Sequence, residues 1–342
     1  MNILHGTSSV SLQSTRYLAD SLKKKGYNTE ILIYRSNSLL KGYEDKNIDI
    51  SIRKIWKYPV YALRIIKELN QSIKKYDVFH FHYGRTFLPY NLDLYILKKL
   101  RKTVFMEYHG SEIRRKSVFQ KHNNNLEAFS GVSDDKSFKM QKRVAKSVNG
   151  VIVHDHELLE NLYDFEVPIH ILPLRINVHQ FERISNNRNK RITIVHAPSK
   201  RKTKGTDYIL SAIESLSMKY SIEFKLIEGV SNHEFKNILK MADIVIDQLI
   251  IGSYGMYSIE SMAFGKPTIC YLREDLIDSF PEKPPIYNAN INNIKERLEI
   301  LIQDEELRKI IGEQSRAYVE KYHNSDFVAN EAIQIYENAN PC

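Results

Sequence analysis

Cysteine is scarce in this 342-residue chain: Cys270 and Cys342 are the only two, too few for a disulfide framework. No apolar run approaches the ~20 residues that span a bilayer. The opening MNILHGTSS has no basic region followed by a long apolar core and does not read as a signal peptide. The expected compartment is the cytoplasm. The first strand–loop–helix unit lacks Gly-x-Gly-x-x-Gly, which removes the dinucleotide fingerprint. His154, Asp155 and His156 look like a metal cluster in composition only. Neighbours on a strand point to opposite faces and no second ligand pair lies at a fitting spacing, so no metal site is expected.

What is present is an ordinary globular composition, 42% hydrophobic and 27% charged, in a chain long enough for two domains. Lys and Arg number 50 against 41 Asp and Glu, and the net charge of +9 fits a polyanion or an acidic membrane without requiring either. Strands are expected at Met1–His5, Glu30–Tyr34, Asp77–Tyr83, Thr103–His109, Val151–His154 and Ile169–Leu174. A second series is expected at Arg191–His196, Ile222–Glu228, Asp243–Gln248 and Thr268–Tyr271. Helices fall between them, the first over Ser11–Lys25 and the last over Asp326–Asn338. Alternation of this kind is that of α/β domains with parallel sheets.

Two stretches carry chemistry. In Asp247–Tyr271, DQLIIGSYGMYSIESMAFGKPTICY, a β-branched strand leads into the loop Gly252, Ser253, Tyr254, Gly255, then a short helix with Glu260 that stops at Gly265 before Pro267. Free N–H groups at such a helix start attract an anion, and a carboxylate on the helix can accept hydroxyl hydrogen bonds. A surface helix with one solvated Glu is the plain alternative. In His196–Thr206, HAPSKRKTKGT, a strand opens into a loop with Lys200, Arg201, Lys202 and Lys204. Forked Arg donors and Lys point charges suit a diphosphate, whereas an isolated charge run is a solvated face.

These residues resemble a family. HAPSKRKTKGT is similar to the basic Lys-Gly loop of the retaining family 4 glycosyltransferases (glycosyl transferases group 1), and GSYGMYSIESMAFGKP to their Glu-x7-Glu signature. The resemblance implies the GT-B architecture, α/β with two Rossmann-like domains whose parallel sheets face across a cleft. It also implies a nucleotide-diphosphate sugar donor held by Gly6, Ser199, Arg201, Lys204, Gly229, Gly252, Ser253, Tyr254, Gly255, Met256 and Glu260. Arg201 and Lys204 would stabilise the leaving diphosphate, Glu260 the ribose, and Gly229 the base. His109, at a strand end before Gly110, would meet the sugar or the leaving oxygen; a structural histidine is the alternative. Gly252 departs from the pattern, standing where the family carries its first Glu. Asp-x-Asp occurs nowhere, and with it goes the usual metal-held sugar nucleotide, so metal-independent handling and no cofactor are expected.

The implied domains are 1–175, joined by a returning C-terminal helix at about 323–342, and 176–322. A polar stretch at Asn123–Ser137 reads as a loop or lid. The segment Ser51–Tyr76 interleaves Arg53, Lys54, Lys57, Arg64, Lys67, Lys74 and Lys75 with Trp56, Tyr58, Tyr61, Ile65, Ile66 and Leu69. It suits either an anionic membrane surface or an ordinary domain helix, and Pro59 would break one continuous interfacial helix. The expected activity is transfer of a sugar, with retention, to a glycan, lipid-linked or protein acceptor in surface glycan biosynthesis, peripherally on the inner membrane face and without nucleic acid as partner. A sugar-nucleotide epimerase of the same fold, or a non-catalytic GT-B scaffold binding a glycan or protein, are the alternatives.

Overall fold

A computed structural model describes residues 1–9, 12–35, 42–50, 57–182 and 191–339. Ser11, Ser51, Arg53, Lys54, Trp56 and Cys342 lie outside the described residues. The chain divides into two compact units: 1–118, 131–175 and 325–342 form the first, 119–130 and 176–324 the second.

The first unit holds a seven-stranded, all-parallel sheet. Its strands are β1 (Asn2–Thr7), β2 (Asn28–Ile33), β3 (Lys46–Asn47), β4 (Val78–His82), β5 (Thr103–Glu107), β6 (Gly150–Val153) and β7 (Ile169–Ile171), in the order β3-β2-β1-β4-β5-β6-β7. Side chains alternate across it. Leu4, Phe79, Phe81, Val104 and Met106 face one layer with Leu69, Leu94, Leu97 and Val144 from three helices. Ile3, Val78, Phe105 and Ile152 face the other, packed by Leu18 and Leu22 of helix Leu12–Lys24 and by Val328, Ala329 and Ala332 of helix Ser325–Glu337. Burial on both faces is why these strands read as nearly continuous apolar runs.

In the second unit five parallel strands, β8 (Ile192–His196), β9 (Ile222–Leu226), β10 (Ile244–Ile246), β11 (Thr268–Cys270) and β12 (Tyr287–Asn288), run in the order β12-β11-β10-β8-β9. Ile194, Ile244, Ile246 and Ile269 pack against helices Thr206–Ser217 and Ile294–Gln303. The sheet order reverses between β8 and β10, so the loops leaving their C-terminal ends diverge there, where ligands of such sheets bind.

Two expectations need correction. Gly6 is not in a loop: it lies within β1, paired with Leu32 and Phe81, because the strand runs on to Thr7. The lid expected at 123–137 is ordered structure, with a 3-10 turn at Leu126–Ala128 and a helix starting at Asp134 on its Ser133 cap. Residues 119–130 belong to the second unit, whose core takes in Ala128 and Phe119. The helix of the basic segment runs Tyr58–Lys75, with Pro59 in its first turn, where its missing N–H costs nothing; residues 51–56 lie outside the described residues.

Candidate functional site

The two stretches singled out in the sequence leave the second unit's sheet from neighbouring strands, β8 and β10. His196, the last residue of β8, pins the junction: its Nδ1 lies 2.8 Å from the Ile246 carbonyl and its Nε2 2.9 Å from Thr206 Oγ1. Burial holds its pKa down to about 4, so the ring is neutral, donating to the carbonyl and accepting from the hydroxyl. After the exposed Ser199, Arg201–Lys204 make one helical turn that Gly205 ends in the left-handed region at φ 74°, and helix Thr206–Ser217 begins.

Each cation of the turn has a partner. Lys200 donates to Ser130 Oγ at 2.9 Å and Lys202 meets Glu127 at 3.0 Å, both on the 119–130 segment. Arg201 forks onto Glu228 at 3.0 and 2.5 Å. Lys204 is bound to Asp247, which is sealed from water and takes a second bond of 2.6 Å from Ser258 Oγ. The exposed pairs are worth about 0–1 kcal/mol and yield readily to a better anion. Lys204 is fixed. Arg201, Lys202, Thr206 and Tyr208 line a cavity of about 350 Å³ with Asn125 and Glu127.

Gln248 shapes the second loop. Its amide nitrogen donates to the carbonyls of Ser253 and Tyr271 (2.8 and 3.0 Å), and its oxygen accepts from the N–H groups of Ile250 and Ile251 (2.7 and 2.6 Å). Gly252 has φ 97°, and a Cβ there would come within 2.6 Å of Arg273 Cγ. Tyr254 turns inward, its hydroxyl 3.0 Å from His323 Nε2 and 3.2 Å from Tyr318. Gly255 caps helix Met256–Ala263, and Glu260 is buried on it at 4% exposure. Gly229, after β9, is exposed at φ 71°. Lys204, Asp247 and Ser258 of helix Met256–Ala263 thus form one group, and Arg201 stands at the start of the same turn as Lys204, on Glu228. Asp247, Gln248 and Ser258 carried no role in the sequence; an Asp ending a buried strand opposite a basic turn was the available signal.

His109 stands in the first unit at the end of β5, in a second polar group. By the two-residue period, His5 shares a face with Ile3, His80 and His82 with Val78, Glu107 with Phe105, and His154 with Ile152. Parallel register then places His5 beside His80 and His82 beside Glu107. Arg175 forks onto Glu107 at 2.7 and 2.9 Å, both residues fully buried. His80 Nε2 and His82 Nδ1 lie 3.0 and 3.2 Å from Glu107 Oε2, and His154 Nδ1 lies 3.4 Å from Oε1. Both ring nitrogens of His109 are engaged: Nδ1 is 2.9 Å from His154 Nε2 and Nε2 is 3.2 Å from His82 Nδ1. Burial pushes all five histidines below their usual pKa, His82 and His154 to about 4. Burial alone would raise Glu107; Arg175 and the imidazole donors outweigh it and hold the carboxyl well below its usual range. Glu112 goes the other way, raised to about 7 by burial although His109 N–H donates to it at 2.6 Å.

His5, His80 and His82, or His82, Glu107 and His109, bring donor atoms within 4.8 Å of one another, a spacing a transition metal can bridge. Arg175 balances the charge of Glu107 and several of the imidazoles bond to one another, while His5 Nε2 and His80 Nε2 are buried without a hydrogen-bond partner among the described residues.

Two outcomes follow. The folded pKa of about 4 for His82, His154 and His196 lies below an unfolded value near 6.5, so their contribution to stability is complete above about pH 6.5 and is lost as pH falls toward 4. At one pH unit below 6.5 each loss is on the order of 1 kcal/mol, while Glu112, raised to about 7, opposes with the reverse sign. Thermal melts should therefore show a falling Tm between about pH 6.5 and 5; a flat profile would contradict neutral, buried rings. Second, Gly252→Glu should cost about 1–3 kcal/mol from backbone strain. Adding Arg273→Ala should recover the packing part of the loss and leave the strain, as measured by denaturant unfolding.

Models of known protein families give no match. The chain is 29% identical over 143 residues to an uncharacterized glycosyltransferase of Methanocaldococcus jannaschii, a stretch covering 35% of this chain and 40% of that protein. It is 20% identical over 369 residues to N-acetyl-alpha-D-glucosaminyl L-malate synthase of Bacillus anthracis, covering 97% of this chain and 93% of the other. Among solved structures, Anabaena HepE in complex with UDP and glucose is similar over 98% of each chain, with a TM-score of 0.68 and 10% identity. The likeness shows the fold: two parallel-sheet Rossmann-like domains of the GT-B architecture.

Proposed function

We propose that the chain is a retaining glycosyltransferase of the family 4 type that moves a sugar from a nucleotide-diphosphate donor without a metal. The observation that carries the proposal is the meeting of a basic turn and a helix start at the β8–β10 reversal, with Lys204 fixed on buried Asp247. Fixed cations aimed at a leaving diphosphate stabilise charge as it develops, at no reorganisation cost. Arg201 exchanges Glu228 for the diphosphate, the start of helix Met256–Ala263 adds N–H donors, and Glu260 takes the ribose. His109 meets the sugar. The relatives support the donor class: HepE was solved with UDP and glucose, and the Bacillus anthracis relative is named for joining a glucosaminyl group to malate.

The scaffold reading draws on Gly252, which removes the first Glu of the family pattern. A thermal-shift screen of UDP, GDP, ADP, TDP and CMP, with and without Mg2+, separates the two. A transferase should be stabilised by one diphosphate irrespective of Mg2+. Arg201→Ala should weaken that binding at least tenfold while leaving Tm without ligand almost unchanged, because its pair with Glu228 is exposed. No shift with any nucleotide would favour the scaffold.

The acceptor is lipid-linked in this reading, and the first unit docks on an anionic membrane as a peripheral protein. Among the described residues no helix is long and apolar enough to cross a membrane. Helix Tyr58–Lys75 instead exposes Tyr58, Val60, Leu63 and Ile66 between Lys57, Arg64, Lys67 and Lys74. Helix Leu92–Lys99, not singled out in the sequence, packs on the same face of the sheet and exposes Leu92 and Tyr95 beside Lys98 and Lys99. Leu63 is 69% exposed, and apolar residues presented with cations fit the headgroup boundary. Co-sedimentation should occur with phosphatidylglycerol-containing vesicles and not with phosphatidylcholine alone, and Leu63→Ser with Tyr95→Ser should reduce it several-fold. Equal binding to both vesicle types, or none, would remove the membrane from the proposal.

A further inference from the structure

Four buried histidines of the first unit and the half-buried His109 form one chain of ring contacts around the charge of Glu107. Glu107 is ionised, and an ionised carboxylate only accepts hydrogen bonds. A lone pair aimed at it would be repelled, so the three ring nitrogens around it carry hydrogen: His80 Nε2, His82 Nδ1 and His154 Nδ1, the last also facing the Leu172 carbonyl at 3.4 Å. Buried neutral imidazole has one N–H, so each second nitrogen is an acceptor. His80 Nδ1 accordingly accepts from the Tyr336 hydroxyl at 2.6 Å. His154 Nε2 needs a donor and faces His109 Nδ1 at 2.9 Å, which places the hydrogen of His109 on Nδ1. His109 Nε2 is then bare, and faces the N–H of His82 at 3.2 Å. His82 Nε2 accepts from His5 Nδ1 at 3.4 Å, and His5 Nε2 ends the chain with no partner among the described residues.

No ring in this chain can change tautomer alone. Protonating His109 on Nε2 would set two N–H groups against each other across the His82 contact. Reversing His82 to relieve them would turn a lone pair toward Glu107. Glu112 does not rescue the cation, since its carboxyl binds the backbone N–H of His109.

We propose that Glu107 and Arg175 are positioning residues that act through His82 and His154 to hold the hydrogen of the neutral His109 ring on Nδ1. This deepens the glycosyltransferase reading and rests on its assignment of His109 to the sugar. Glycosyl transfer builds positive charge on the sugar ring as the leaving group departs. An imidazolium beside it would oppose that charge, whereas a neutral ring does not. The network therefore excludes His109 as the acid that protonates the leaving oxygen and leaves that charge to Arg201 and Lys204.

The test is a long-range proton–nitrogen correlation spectrum of the full chain labelled with 15N-histidine, assigned by His109→Gln. The expected result is a His109 signal of the neutral Nδ1–H form, unchanged over about pH 6 to 8. A His109 that titrates in that range, or that carries its hydrogen on Nε2, overturns the proposal. This measurement needs no substrate, so it decides the network separately from the transferase reading. In Glu107→Gln the anchor charge is gone, and His109 should become a tautomer mixture while staying neutral, because burial and Arg175 still oppose its protonation. Where a donor has been identified, kcat of this variant should fall at least tenfold with KM for the donor nearly unchanged. An unchanged His109 spectrum in folded Glu107→Gln also overturns the proposal.

Discussion

A carboxylate sealed from water inside a sheet is tolerable only if its charge is met on the spot, and Glu107 sets this condition for the whole first unit. The fully buried Arg175 meets it with two hydrogen bonds. Taking both ions out of water is expensive, and losing either partner would leave the other exposed to a penalty of about 3–5 kcal/mol. Arg175 is also the last residue of the first unit before the chain enters the second, and its backbone and side chain reach Ser14. The pair therefore joins the centre of the sheet to the helix behind it and to the start of the connection. The histidines fit around it because a carboxylate already matched in charge still has lone pairs to fill, and neutral imidazoles fill them without adding charge.

The second unit uses charge in the opposite way. In the basic turn Lys200–Lys204 the cations stand mostly in water, on partners that cost little to leave, and Lys204 alone of the four is committed, through the buried Asp247. Such a division suits a site that must accept and release a highly charged ligand. One cation, with Ser258 bonded to the same Asp, preserves the spacing between the turn and the helix start. The others are free to exchange partners, because an exposed pair gains almost as much from water as from its neighbour.

Much of this could be read from the residues in order. Long β-branched or apolar runs gave β1, β2, β4, β5, β8 and β10, since strands buried on both faces have little choice of composition. The two-residue strands β3 and β12 carry no such signal: Lys46 and Asn47 are exposed, and pairing with a neighbour alone makes them strands. Residues 123–137 look like a polar loop because their few apolar side chains show no periodicity, yet Ala128, with Phe119 shortly before it, packs in the second core. The polar group around Glu107 was half visible. His80 and His82 share a face by local period, but His5, His154 and Arg175 join them only through parallel register between strands far apart in sequence. Such register is a property of the sheet, not of any one segment.

Gly252 shows how a departure from a family pattern can be a different structure instead of a missing part. A glutamate cannot simply be restored there, because the backbone lies in the left-handed region and the Arg273 side chain occupies the space a Cβ would need. Arg273 is itself held by Asp275 and donates its backbone N–H to the Gly252 carbonyl at 3.0 Å. Position 252, the Gln248 clamp and Arg273 are consequently one unit, which fixes the loop before helix Met256–Ala263. In the transferase reading, a loop fixed by backbone bonds can hold a sugar by its N–H groups, whereas a glutamate would hold it by hydroxyl contacts. A binding scaffold would need neither the fixed lysine behind the loop nor a buried carboxylate on the helix after it, and the chain spends a buried ion pair on the first and burial of Glu260 on the second. The cost of keeping both groups in place weighs toward chemistry at this site.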